Sequence, residues 1–325
     1  MITRKFTPGK RSAIETFFTI REEPLFRYDP LTDTYGRITS HKGIVDVDRD
    51  NLMSVVYKDY QIVTNQQAYS IASGIVDYLF KGTKLTDFEC FNVVMPKTRS
   101  FCRIDLILPE RYYRPFGDNL EDIWKPFLRI SNSYNKTSIL KYEIGFCRWI
   151  CLNGMIGSQR GITISVDHSD RYYLTKIMNQ VRKQANEVED VNALWKKLSA
   201  KLANLRKLEV SPDMVYPMFC KAFGIILNEA EMTDRIKDNW KKRRDTIDGL
   251  KKEYFKEMGN NAYAVMNILT DFASDKVLDI WKDGYQKKVG LWIDDLQEKR
   301  MYSTFSMDKY IEKEYRNSAS IIENL

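Results

Sequence analysis

The chain has only two histidines, His41 and His168, in 325 residues. Catalytic triads and most zinc or non-haem iron enzymes draw on imidazoles, so this shortage excludes most schemes of that kind. Five cysteines, at positions 90, 102, 147, 151 and 220, are odd in number and irregular in spacing, which argues against a disulfide framework. Cys147 and Cys151 stand four apart with His168 further on, but no second cysteine pair closes a tetrahedral zinc site. The thiols read as buried core groups. With 15 Gly and 9 Pro there is too little of either for a collagen-like, disordered or low-complexity chain. No window approaches the ~18 apolar residues of a membrane span. The start, Met1 to Arg11, is basic, but the apolar stretch Thr16-Phe17-Phe18-Thr19-Ile20 is too short for a signal sequence and runs into Arg21-Glu22-Glu23. The expectation is a cytoplasmic protein with no membrane partner.

What is present is a folded composition, 43% hydrophobic and 29% charged, in a length sufficient for one large domain or two ordinary ones. Sixteen Phe, 6 Trp and 19 Tyr suit either a well-filled core or stacking surfaces. Fifty-one Lys and Arg against 44 Asp and Glu leave a net charge of +7. Residues 1–170 hold 23 basic and 20 acidic side chains and residues 171–325 hold 28 and 24, so neither half is a basic tail. A polyanion partner is permitted but not demanded, because affinity for phosphates follows how cations cluster on a face.

From about residue 34 to 166 short apolar segments alternate with turn residues, as strands do. Val55-Val56 and Tyr60-Gln61-Ile62-Val63 are strand candidates. Phe101 to Leu108 alternates, with Cys102, Ile104, Leu106 and Leu108 on one face and Arg103 and Asp105 on the other. Gly161 to Val166 presents Ile162, Ile164 and Val166 together. One helix interrupts the strands: Thr64-Asn65 caps a stripe of Ala68, Ile71, Ala72, Ile75 and Leu79, and Lys81-Gly82 ends it. After Ser169 the period becomes 3.6, with Val191, Leu194, Trp195, Leu198, Leu202 and Leu205 on one stripe and a helix start at Ser211-Pro212-Asp213. Long charged helices continue from Glu229 to Glu298. The expected fold class is α+β: an antiparallel, strand-rich N-terminal half (1–168) with one inserted helix, followed by a helical C-terminal half (169–325). Whether the second half packs on the first as one unit is left open.

Asp46-Val47-Asp48-Arg49-Asp50 spaces three carboxylates like the start of a calcium loop, but Asn51 and Tyr57 stand where that loop needs Gly and Glu. A polar hairpin turn is the better reading. Gly154-Met155-Ile156-Gly157 lacks the Lys-Ser/Thr of a phosphate-binding loop. No cofactor or metal is expected. Basic and aromatic residues interleave at Arg111-Tyr112-Tyr113-Arg114, Arg148-Trp149, Arg171-Tyr172-Tyr173 and Trp240-Lys241-Lys242-Arg243-Arg244. Single-strand binders use this combination, since cations neutralise the backbone while bases stack on rings. The alternative is that the tyrosines half-bury at element ends and that Lys241 to Arg244 lie on a solvated helix face balanced by Asp234, Asp238 and Asp245.

Leu128-Arg129-Ile130-Ser131-Asn132-Ser133, followed by Gly145-Phe146-Cys147-Arg148-Trp149-Ile150-Cys151-Leu152-Asn153-Gly154-Met155, resembles the signature of a phage- and plasmid-associated family, the domain of unknown function 932. Asp48 to Asn65 is similar to its early hairpin, and Tyr263 to Thr270, with Asn267, to its late helix. The similarity covers roughly residues 40–275. Where the family follows its Asn-Ser pair with Asp-Gly, this chain has Tyr134-Asn135-Lys136-Thr137, which leaves a tight Asp-Gly turn in doubt. The resemblance implies a mobile-element or viral setting and carries no catalytic residues. Asn132, Ser133 and Asn153 read as turn and strand-end groups, or as part of a binding face with Arg148, and Gly154 and Cys151 belong to the family motif.

The leading expectation is a non-enzymatic nucleic-acid-binding protein acting on single strands in replication, recombination or annealing. Arg111, Arg114, Arg148, Arg171 and Lys241 to Arg244 would capture the backbone and Tyr112, Tyr113, Trp149 and Tyr172 would stack. The alternative is a protein-interaction factor, such as an inhibitor of a host defence system, with the same residues as interface anchors. Hydrolytic use of Asp46 and Asp48 ranks third, and self-association is left open.

Overall fold

The computed structural model describes residues 12–117, 122–148, 153–155, 161–188, 190–275 and 279–325. Strands β1 (Ile20–Asp29), β2 (Thr34–Asp46) and β3 (Asn51–Tyr57) form an antiparallel sheet in that order. Strand structure thus begins earlier than residue 34. The reason it escapes the apolar pattern is that β1 carries Arg21-Glu22-Glu23-Pro24 and leaves most of its side chains exposed. A 3₁₀ turn, Val47–Arg49, joins β2 to β3, with Asp50 at a left-handed φ of 47°, so the Asp46–Asp50 run is a turn. Asp46 is buried against Arg99, whose Nη1 lies 3.2 Å from Oδ2. Gly43 in β2 is a close approach: a Cβ there would stand 3.0 Å from Leu52 and 3.3 Å from Leu25.

Tyr60 to Val63, expected as a strand, is a loop. Its polar groups are satisfied across the fold instead: Gln61 N donates to the His168 carbonyl at 2.6 Å, the Tyr60 hydroxyl to the Ser133 carbonyl at 2.8 Å, and Asn132 Nδ2 to the Val63 carbonyl at 2.8 Å. The loop delivers Thr64, which forms a capping box with Gln67 and starts α1 (Asn65–Leu79).

The second sheet comprises β4 (Glu89–Val94), β5 (Phe101–Ile107), β6 (Trp124–Ser133), β7 (Leu140–Arg148), β8 (Asn153–Met155) and β9 (Ile162–Val166). Its order is β4-β5-β6-β7-β8, every pair is antiparallel, and β9 takes the first half of the β7 edge while β8 takes the last three residues. The period-2 alternation puts Ile104, Leu106, Leu128, Ile130, Tyr142, Ile144, Ile162 and Ile164 on one face, buried in the same cluster as Ala72 and Ile75 of α1.

The helices follow: α2 (Tyr173–Val188), α3 (Val191–Arg206), α4 (Val215–Phe223), α5 (Asp234–Met258), α6 (Ala262–Asp275), α7 (Asp279–Lys299), α8 (Met307–Tyr310) and α9 (Lys313–Glu323). Asp190 caps α3 by accepting from the Asn192 and Ala193 amides. Ser211 and Pro212 open a 3₁₀ turn that feeds α4, and Gly224, at φ 66°, ends it. α6 packs against α3, α4, α5 and α7, and Ala264, Val265, Ile268 and Leu269 are fully buried. The architecture is α+β, strands first and helices second. Among the described residues no helix is long and apolar enough to cross a membrane.

Candidate functional site

The sequence-predicted residues separate into an internal set and an exposed set. Arg148 ends β7 and is buried: Nε lies 2.6 Å from Asp122 Oδ1, Nη2 lies 3.6 Å from Glu257 Oε1, and the guanidinium lies 5.8 Å from the Tyr254 ring centre. The Tyr263 hydroxyl donates to the second oxygen of Asp122. Asn132 is buried and donates to Val63 O and to Asn65 Oδ1 at 2.9 Å. Ser133 Oγ donates to the Ser138 carbonyl at 2.6 Å and accepts from its amide at 3.1 Å, closing the β6–β7 turn. Asn267 is buried in α6, where Nδ2 donates to the Tyr263 carbonyl at 2.8 Å. Asn153 and Gly154 lie in β8, opposite Arg148 and Cys147. Trp149 and Cys151, and Met1 to Arg11, lie outside the described residues.

The exposed set sits on separate elements. Tyr112 is 57% exposed with Arg114 5.5 Å from its ring centre, and Arg111 reaches Thr83 Oγ1 at 3.4 Å. Tyr113 turns inward, stacks on Trp195 at 5.0 Å and donates to Asn192 Oδ1 at 2.6 Å, which anchors the loop on α3. Arg171 and Tyr172 are exposed just before α2, with the Tyr172 amide on Asp170 Oδ1 at 2.9 Å. On α5, Lys241, Lys242 and Arg243 face solvent and Arg244 is half-buried; the Arg243 guanidinium covers the buried Trp240 at 4.8 Å.

Two features that the sequence reading did not assemble lie around the first sheet. One is a cleft of about 410 Å³ lined by Tyr57, Asp59, Tyr60, Lys136, Ser138, Ile139, Asp167, His168 and Ser169. His41 and Tyr57 are opposed on β2 and β3, their rings 4.6 Å apart, and Lys136 Nζ lies 4.1 Å from the Tyr57 ring centre. His168 is 4% exposed, stacks on Tyr60 at 4.9 Å, and has Nδ1 3.2 Å from the Gln61 carbonyl. Burial holds its pKa below the ordinary imidazole value, against the opposing pull of that hydrogen bond and of Asp167. Asp167 itself is held down by hydrogen bonds from the Ser169 amide and hydroxyl.

The other is the hairpin of β1 and β2 beyond residue 24. Phe26 opposes Arg37, and Tyr28 opposes Tyr35 with ring centres 5.3 Å apart, so three rings and a guanidinium share one face. Phe26 is 55% exposed and Tyr35 73%. The signal was legible as Phe26-Arg27-Tyr28 and Tyr35-Gly36-Arg37 flanking an Asp29-Pro30 turn. An expectation of strands only from residue 34 passes over its first half, Phe26-Arg27-Tyr28.

The second face of the large sheet carries a buried ionic row. Arg129 Nε lies 2.6 Å from Asp105 Oδ1, Asn92 Nδ2 donates to Asp105 Oδ2 at 2.9 Å, and Arg103 Nε lies 3.5 Å from the same carboxylate. Burial would raise the Asp105 pKa, but Arg129, Arg103 and the hydrogen bonds from Arg129 and Asn92 outweigh it and hold the carboxyl below its usual range. Glu143 continues the row to Lys141 at 3.0 Å and to Lys287 of α7 at 3.5 Å. Among the described residues, no group of three His, Cys, Asp or Glu side chains is placed to hold a metal ion.

Residues 52–286, more than half the chain, match the family of the domain of unknown function 932 (DUF932). The chain belongs to the DUF932 family. The match starts in β3 and ends in α7, so it takes in the cleft, the Arg148–Asp122 network and all of the ionic row but Lys287, while the β1–β2 hairpin precedes it. The family segments around Arg148 and Tyr263, distant in the DUF932 sequence, meet at Asp122. No curated protein and no solved structure matches the chain.

Proposed function

We propose that this DUF932 protein binds single-stranded nucleic acid in the replication, recombination or annealing reactions of a phage or plasmid. The observation that carries the reading is the exposed hairpin face of Phe26, Tyr28, Tyr35 and Arg37; a separate cluster beyond the register shift in β1–β2, His41 beside Tyr57 with Lys136 near the ring, adds to it. Exposed rings offer stacking to any base, and adjacent cations neutralise the backbone. The net charge of +7 and the exposed Arg114, Arg171 and Lys241 to Arg243 support capture of a polyanion.

The test is fluorescence anisotropy with a labelled single-stranded oligonucleotide and its duplex at two salt concentrations. The reading expects preference for the single strand, an affinity that falls steeply with salt, and near indifference to base sequence. Binding to neither form overturns it.

A protein-interaction role, such as inhibition of a host defence system, is favoured by a different observation: Leu31 is 95% exposed at the hairpin tip and Leu52 and Val55 about half exposed on the outer face of the first sheet. It expects a stable complex with one host protein from nuclease-treated lysate and no affinity for oligonucleotides.

A further inference from the structure

A second cleft, of about 420 Å³, lies in the helical half, where the end of α7 and the loop into α8 meet α4 and the start of α9. It shares no residue with the hairpin or with the first cleft, and all of its lining but Lys221 lies beyond the DUF932 match, which ends at residue 286. Three ammonium groups line it: Lys221 on α4, Lys299 at the end of α7 and Lys309 in α8. Among the described residues the one carboxylate in the lining is Glu312, and it is taken up from within, with Lys221 Nζ 2.7 and 2.8 Å from its two oxygens.

Lys221 is fixed in that position. Its side chain is 14% exposed and its ammonium sits 4.5 Å from the centre of the buried Tyr310 ring. Burial would raise the Glu312 carboxyl, but its hydrogen bonds and the charges of Lys221 and Lys299 hold it below the usual range, so the pair stays ionised and balances itself. Asp308, beside Lys309 in α8, is engaged by Arg316 at 3.1 Å. Among the described residues neither Lys299 nor Lys309 has an ion-pair partner, and both are exposed. The cleft thus carries two positive charges that the fold does not balance.

The neutral groups of the lining narrow the ligand. Ser306 Oγ accepts from the Lys309 amide at 3.2 Å and keeps its own hydrogen to donate, and Thr304 adds an exposed hydroxyl. The Tyr302 ring is 58% exposed and the Phe305 ring half-buried in the same lining. Two ammonium groups with hydroxyl donors suit a phosphate monoester, which carries about −1.5 to −2 at pH 7, better than the single charge of an internal phosphodiester. An exposed ring beside them suits a planar base. The volume lies within the ~300–1,000 Å³ typical of small-molecule sites. We propose that this cleft is a site for the terminal phosphate of a nucleotide, held by Lys299 and Lys309 with the base against Tyr302, whether the nucleotide is free or stands at the 5′ end of a strand. It uses none of the residues that carry the single-strand reading above.

The test is calorimetric titration of the full-length protein with deoxyadenosine 5′-monophosphate, deoxyadenosine and inorganic phosphate, the monophosphate being expected to bind more tightly than either part. Lys299→Gln and Lys309→Gln are each expected to weaken it about tenfold, the loss of one charge-assisted hydrogen bond. Tyr302→Ala is expected to weaken it about fivefold or more, the loss of stacking, while leaving inorganic phosphate unchanged. All three side chains are exposed, so the fold is not at stake. Lys252→Gln, which removes an exposed lysine of α5 outside the cleft, is expected to change nothing; a loss equal to that of Lys299→Gln would mean that binding follows net charge and would refute the site. Oligonucleotides with and without a 5′-phosphate distinguish the sources: tighter binding of the phosphorylated strand, lost in Lys299→Gln, identifies a strand end, and equal binding of the two identifies the free nucleotide. If the monophosphate does not bind, or keeps its affinity in both lysine variants, the site is refuted and the single-strand reading keeps its own test. If the monophosphate binds and no oligonucleotide does, the single-strand reading falls and the site stands.

Discussion

Arg148 Nε and Asp122 Oδ1 meet at 2.6 Å between side chains that are 2% and 6% exposed, so the arginine of the family signature is spent inside the fold. The pair ties the end of β7 to the segment before β6, and the Tyr263 hydroxyl ties α6 to the same carboxylate. Removing one member leaves a buried, uncompensated charge, which typically costs about 3–5 kcal/mol. Arg148→Ala is therefore expected to lower unfolding stability by that amount in urea titrations. A variant with unchanged stability but lost oligonucleotide binding would show instead that Arg148 contacts the nucleic acid.

Asp105 makes the fold acid-sensitive. Its folded pKa lies below the unfolded value of about 3.9, so its contribution to stability is fully present above that pH and is lost as pH falls through the folded value. Stability measured by denaturant titration should fall steeply below about pH 4. Asp105→Asn is expected to be less stable at neutral pH and to show a shallower acid slope, because no proton is then taken up on unfolding at that site. An acid slope equal to that of the parent protein would remove Asp105 as its source.

Much of the architecture was readable because two periods are unambiguous here. Ile104, Leu106, Ile162 and Ile164 alternate, and Val191 to Leu205 repeat every three to four residues, so strands and helices were placed by burial of one face. Asp46 to Asp50 and Ser211-Pro212 were legible from turn and cap chemistry. What failed to show was anything set by tertiary partners. Tyr60 to Val63 has strand-like residues, but its hydrogen bonds go to His168, Ser133 and Asn132 from other elements. Arg148 looks like a surface cation until Asp122, 26 residues away, is brought to it. The cleft joins residues 57–60, 136–139 and 167–169, a juxtaposition that no local pattern encodes.

The thiols of the core should be chemically silent. Burial pushes the Cys102 and Cys220 thiols up to about 12, so at pH 8 almost none of either is thiolate. Treatment of native protein with a disulfide reagent, followed by mass mapping, is expected to leave both unmodified and to label them fully in denaturant. Rapid labelling of either in native protein would mean that the sheet or α4 opens on the reaction time scale.

The hairpin separates binding from folding, because its rings contribute little to the core. Phe26 and Tyr35 are more than half exposed, so Phe26→Ala and Tyr35→Ala should leave the melting temperature nearly unchanged. If the hairpin is the stacking platform, each substitution should weaken single-strand binding by about 1–3 kcal/mol, with the salt slope retained because no phosphate contact is lost. Arg37→Ala, altering the cation opposite Phe26, should do the reverse: a smaller loss of affinity but a salt slope lower by about 0.7. Because a ring and a cation leave different signatures, the three variants together distinguish a nucleic-acid platform from a protein-docking arm. A docking arm would lose a host partner on Phe26→Ala or Leu31→Ala while the oligonucleotide titration stayed flat.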